Sequence, residues 1–236
     1  MEARANGRGR QRDPFTAAHW NSRVQVTVHP SPAPSVADVD ERARLLFGRS
    51  LQDREWGELV GAPDGAGVEV LASPATGYRH GVQLLVHHPW FMGPAVRYVF
   101  WNVDRQLAML NDSFWVREDA PPGVGTRVFV HQVLAAQALG VGDILVEAAG
   151  ALGSTMNGYY TWARLGFDGL IPVSVLRRLP PNWEDAVSVL DLIDRQGGAE
   201  WWRRNGRTFL GTFDLREPSR SLRILRGYTE EKGIVV

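Results

Sequence analysis

The chain has 236 residues with 26 basic and 26 acidic side chains, a balance that removes the electrostatic case for a nucleic-acid or polyanion binder. Its 44% hydrophobic and 22% charged content is that of a globular protein able to bury a core. The absence of cysteine excludes disulfides, thiolate metal sites and a cysteine nucleophile. No apolar run reaches the roughly 18 residues of a membrane span and no h-region stands near Met1, so a cytoplasmic protein without a membrane partner is expected.

Residues 1–13 set Arg4, Arg8, Arg10 and Arg12 among glycines and few apolar groups, which reads as a flexible, solubilising tail. Val24, Val26 and Val28 alternate with Gln25 and Thr27, a strand signal over Arg23–His29. Pro30 to Pro34 end it. Ser35 or Asp38 then caps a helix through Ala43, Leu45, Leu46 and Phe47, and a second short helix is expected near Leu51–Leu59. Four strand signals follow at Val68–Ala72, Gly81–His88, Val96–Asn102 and Leu107–Arg117, read as an antiparallel meander with a hairpin loop at Val103–Gln106.

From Gly123 the spacing becomes helical. Phe129, Val130, Val133, Leu134 and Ala138 share the period, and Gly140 supplies the stop. Asp143–Ala148 is a short Ile-Leu-Val strand, so strand, glycine turn, helix and strand form a βαβ unit whose outer strands should run parallel. Further helices are expected at Tyr159–Leu165, Trp183–Asp194, Ala199–Arg203 and Ser219–Glu231, with a strand at Thr208–Leu215.

A glycine turn between strand and helix is a place to hold phosphate, because backbone N–H groups and the helix dipole both favour an anion there. Gly123 and Gly125 suit close backbone approach. Taken alone they equally fit a tight turn. His87 and His88 are adjacent strand residues facing opposite ways, so they cannot share one metal. His131 falls on the polar side of its helix and is expected to be solvated; no metal site is expected.

Phe114-Trp-Val-Arg-Glu-Asp-Ala-Pro-Pro-Gly-Val-Gly-Thr126, then Asp143-Ile-Leu-Val-Glu147, Asn157 and Trp162-Ala-Arg-Leu-Gly-Phe167 together resemble the GNAT superfamily of acyl-CoA-dependent N-acyltransferases. The motifs cover about a quarter of the chain, and a looser match of strand and helix order runs from Val24 to Phe167. The resemblance implies an α/β fold (strictly α+β) with a mixed, mostly antiparallel central sheet flanked by helices. It implies a core over residues 14–171 and a C-terminal extension, 172–236, packed on the same domain.

It also implies acetyl transfer from acetyl-CoA, or from another acyl-CoA, to a small-molecule or peptide amine. Backbone amides of Gly123, Val124, Gly125, Thr126 and Arg127 would cradle the cofactor pyrophosphate. An unpaired N–H among Phe114, Trp115 and Val116 would polarise the thioester carbonyl, and Asn157 would bind the pantetheine arm. Glu147 is the favoured general base and Asp112 the second choice, placed by period-two alternation on one face with Leu110 and Phe114. The sequence departs from the family pattern at several points. Ala120 stands where the family carries Arg or Gln, Pro121 and Pro122 have no N–H to donate, and Trp162 stands where many members carry an acidic tyrosine. Tyr159 or Tyr160 would supply that acid; otherwise the thiolate leaves unassisted, or the fold serves as a binding or structural module without transfer chemistry. The C-terminal extension would cover the acceptor side or form a homodimer contact.

Overall fold

The computed structural model describes Trp20 and residues 23–30, 38–73 and 81–234. The tail at 1–13, most of the proline connection and Ser35 lie outside the described residues. Elements follow in the order β1 (Gln25–Val28), α1 (Val39–Phe47), α2 (Asp53–Leu59), β2 (Gly67–Ala72), β3 (Val82–His87), β4 (Ala95–Trp101) and β5 (Leu107–Ser113). Then come α3 (Val124–Ala138), β6 (Asp143–Ala151), α4 (Gly158–Arg164), α5 (Val173–Leu176), α6 (Val189–Ile193), α7 (Gly198–Asn205), β7 (Arg207–Asp214) and α8 (Arg220–Lys232).

The strands form one seven-stranded mixed sheet in sequential order. β2 to β5 are joined antiparallel, as are β6 and β7. β1 with β2 and β5 with β6 are parallel, and each of these connections carries a helical crossover, as a parallel neighbour requires; the antiparallel β6–β7 connection carries α4 to α7. Alternation along the strands buries Val68, Val70, Leu84, Val86, Val99, Met109, Ile144, Val146 and Phe213 on one face. The outer face carries Glu69, Gln83, Tyr98, Leu110, Leu145, Glu147 and Leu210, none of them buried. Helices close on the buried face. Gly61 after α2 abuts the Val128 carbonyl of α3 so closely that a Cβ would lie 2.0 Å from that oxygen, and Phe129 of α3 meets Phe213 of β7 edge-on at 5.1 Å.

Local signals behave as their chemistry dictates. Asp38 caps α1, accepting a hydrogen bond from the Glu41 N–H at 2.7 Å. Gly140, at φ +76, ends α3 through Gly140 N to Gln137 O and Val141 N to Ala136 O, the paired bonds of a Schellman stop. The helix expected over Trp183–Asp194 shrinks to α6. Pro181–Trp183 forms a 3-10 turn; beyond it Val187 O accepts from Ile171 N, Leu170 bridges Ser188, and Val189 N donates to Gly169 O, so the chain just before Ser188 is held out of the helix and Ser188 becomes the cap. α5 is an element the sequence reading lacked. β6 runs three residues past Ala148 through a register shift, and β5 stops at Ser113.

Candidate functional site

β5 and β6 are paired from Ala108↔Asp143 to Asn111↔Val146 and no further. The reason lies on the other side of β5. Arg97 pairs with Asn111 but Val96 pairs with Ser113, so Asp112 is the extra residue of a β-bulge, which bends the strand and adds twist. Beyond the bulge the chain turns to the segment at 90–92: Met92 N donates to Trp115 O at 3.0 Å and Arg117 N to Trp90 O at 2.8 Å. Residue 115 therefore directs its peptide groups to that segment, and Val116 directs its own to the β6 side. Among the described residues the Val116 N–H has no hydrogen-bond partner. Two parallel strands thus part, and a free amide faces the gap between them.

The turn into α3 lies against the same strand. A Cβ on Gly125 would sit 3.4 Å from Val116 Cγ2 and 3.7 Å from Phe114 Cε1. Gly123, at φ +83, precedes the helix, and a Cβ there would lie 2.7 Å from Arg127 Nη1 and 3.7 Å from Ile234 Cδ1. The glycine at 123 thus makes room for the chain's own buried arginine as well as for the turn. The expected cradle narrows accordingly. Val124 N donates to Pro121 O at 3.3 Å and Arg127 N to Gly123 O at 3.0 Å, which leaves the N–H groups of Gly125 and Thr126 without partners among the described residues.

Behind the gap stands an aromatic cluster. Phe114 meets Phe91 edge-on at 5.2 Å and Trp162 at 6.5 Å; Trp162 in turn packs on Phe129 and Phe167 at 5.7 and 5.0 Å. At the last paired rung, Asn111 and Gln132 exchange two amide hydrogen bonds of 2.9 Å, both side chains buried. Arg97, 1% exposed, stacks its guanidinium 4.9 Å from the Phe114 ring centre and donates from Nη1 to the carbonyls of Ser113 and Val96, while its buried Nε has no hydrogen-bond partner. Burial pushes Arg97 down to about 9, with the charge of Asp112 opposing the shift. Sequence reasoning missed these three features. An arginine in the apolar phase of a strand, between Ala95 and Val99, was the available signal.

No family model, curated protein or solved structure matches the chain.

The sequence-predicted acid–base residues are scattered by the fold. Glu147 is exposed on the outer face of β6, the first residue past the parting point, opposite Leu210. Asp112 is exposed in the bulge; the bulge breaks the alternation that would have set it beside Leu110 and Phe114. Tyr159 is buried, and its hydroxyl donates to Arg203 O at 2.6 Å; burial pushes its pKa up. Tyr160 is half-buried, accepting from Arg164 Nη1 at 3.4 Å on the side of α8, where Arg164 also covers the Tyr228 ring. Asn157 precedes α4, exposed, facing Gly150 across an isolated bridge. Trp115 is exposed, with Phe114 and Val116 half-buried.

Three histidines bear on the sequence reading. His87 Nε2 reaches Glu69 Oε1 at 2.8 Å, whereas His88 turns to Asp64 O, the opposite orientations expected of neighbours. His131 is not solvated as expected: it is half-buried and stacked on Trp20 at 4.7 Å, and burial lowers its pKa. An open groove of about 420 Å³ lies at the other end of the sheet, lined by Phe47, Trp101, Leu139 and Arg216 among others. None of the predicted site residues borders it.

Proposed function

We propose that the chain is an acyl-CoA-dependent N-acyltransferase of GNAT type, transferring acetyl from acetyl-CoA to an amine. The observation that carries this reading is the parting of parallel β5 and β6 with the Val116 N–H turned into the gap, next to a helix N-terminus whose Gly125 and Thr126 amides are free. A thioester carbonyl in the gap would meet Val116 N–H as charge develops on its oxygen. The cofactor pyrophosphate would meet the two amides and the positive end of the α3 dipole. Glu147, on the outer face, can serve only an amine that arrives from that face, accepting its proton directly or through water. The thiolate leaving group has Tyr160 as its remaining tyrosine, because the Tyr159 hydroxyl is committed to Arg203. Positioning and oxyanion stabilisation would supply most of the rate.

A second reading, a GNAT-fold binding module without transfer, is favoured by one observation: Trp162, in the place of the family's acid, is built into the aromatic cluster. The two readings separate on calorimetry with acetyl-CoA followed by turnover. Wild type is expected to bind at micromolar affinity, and Gly125→Trp to lose binding because an indole starting in contact with Val116 and Phe114 would occupy the space in front of the two free amides. Gly227→Ala, inside α8 with open space around it, controls for glycine replacement in general. Glu147→Gln should keep affinity and lose about tenfold or more in acetyl transfer to an amine panel. Wild type that binds but transfers to no amine supports the module; wild type that does not bind rejects the transferase.

A further inference from the structure

Arg97 is buried at a cost. Taking a guanidinium out of water is expensive unless all its donors are met, yet Nε has no hydrogen-bond partner and Nη1 is shared between two carbonyls. A methionine would fill the same volume without that penalty. What the guanidinium adds is geometry. It reaches across the bulge to Ser113 O at 2.9 Å, from the strand position paired with Asn111, and so grips both sides of the extra residue, Asp112. Its flat face supports the Phe114 ring at 4.9 Å, the first residue of the segment that turns away from β6. Without this grip, β5 could shed the bulge and continue pairing with β6 beyond Val146, as parallel neighbours in register would.

We propose that Arg97 is a positioning residue that holds the β5–β6 gap open by pinning the bulge at Asp112, which turns the Val116 N–H into the gap. The mechanical claim concerns β5 alone; its consequence for ligand binding rests on the transferase reading above. Asp112 enters as the residue whose presence makes the bulge, and its carboxylate balances the buried cation from the solvent side.

The test is residue-resolved amide exchange on Arg97→Met, Arg97→Lys and a chain lacking Asp112, with acetyl-CoA calorimetry in parallel. In wild type the Val116 amide should exchange freely. In the Asp112 deletion it should slow by about tenfold or more, as the strand closes on β6; in Arg97→Met, where a strand without the bulge turns residues 113 and 115 rather than 116 toward β6, the Trp115 amide should slow by as much, while amides of β2 and β3 stay unchanged. Lysine, a single-point donor on a flexible stem, should give an intermediate value. A purely structural role would lower thermal stability and leave Trp115 and Val116 exchange where they were, and that result overturns the proposal. Should Arg97→Met not fold, the Asp112 deletion and the lysine variant carry the same comparison. If wild type binds acetyl-CoA, Arg97→Met should bind at least about tenfold more weakly, and equal affinity counts against the role. Wild type that does not bind rejects only the transferase reading, leaving the exchange comparison to decide Arg97.

Discussion

The Asn111–Gln132 pair shows how one buried contact acts at the end of the β5–β6 ladder. Each amide satisfies the other's donor and acceptor at 2.9 Å, so removing one partner strands the other in a dry site. Asn111→Ala is expected to destabilise the fold by about 2–3 kcal/mol. Asn111→Leu with Gln132→Leu should cost less than the sum of the single changes, because no polar group is left behind. Urea unfolding of the four-member cycle measures this; additive costs would mean the two amides are not coupled. Trp162 makes the converse point. Its indole is held by Phe129 and Phe167, so placing a tyrosine there would change packing as well as chemistry.

At the scale of elements, the C-terminal region is tied together by charge. Burial pushes the Asp191 carboxyl up, but the Arg220 guanidinium and the N–H groups of Ser188 and Val187 outweigh it and hold it at about 2. Arg220 and Arg223 also bind Asp194, so α6 is fastened to α8. A carboxylate with a depressed folded pKa contributes stability above its unfolded value, about 4, and loses it as pH falls from there through about 2. Asp191→Asn should therefore lower Tm at neutral pH, by about 1–2 kcal/mol of stability as cap and ion pair are lost. The deficit should shrink steadily below about pH 4. Thermal melts of both proteins across that range test it, and a deficit independent of pH would assign the loss to packing. The shortening of the helix expected at Trp183 belongs to this scale too: Asp191 and Ser188 cap one another's backbone, and this local bond defeats the longer helical pattern.

The whole molecule is a sheet whose strands are unequally held. β6 lies between two partners, β5 and β7, and its residues Ile144 and Ala148 are fully buried. β1 is four residues long, pairs only with β2 among the described residues, and exposes three of its four side chains. Opening should begin at that edge, because few apolar contacts oppose it. Amides of β1 are expected to exchange at least about a hundredfold faster than those of β6 in native-state hydrogen exchange. Equal rates would indicate that β1 opens only with the global fold. Among the described residues no helix is long and apolar enough to cross a membrane.

The sequence by itself determined most of the elements and their order, α5 and the extent of α6 excepted, because period, caps and glycine stops are local: Asp38, Gly140 and the strand alternation from Val68 to Met109 could be read one segment at a time. It also marked the glycine turn at Gly123–Gly125 and the parallel βαβ unit around it. Only the tertiary structure decided which groups meet. The bulge at Asp112 arises from the pairing of β4 with β5, two strands that alternation alone would have kept in step, and it shifts the alternation beyond Asp112, so that Phe114 lies against the buried Arg97. The commitment of the Tyr159 hydroxyl to Arg203, and the filling of the space beside Gly123 by Arg127, come from residues distant in sequence or from a helix turn folding back. Hydrogen bonding and steric exclusion between such groups depend on ångström-scale placement, which a one-dimensional pattern does not carry.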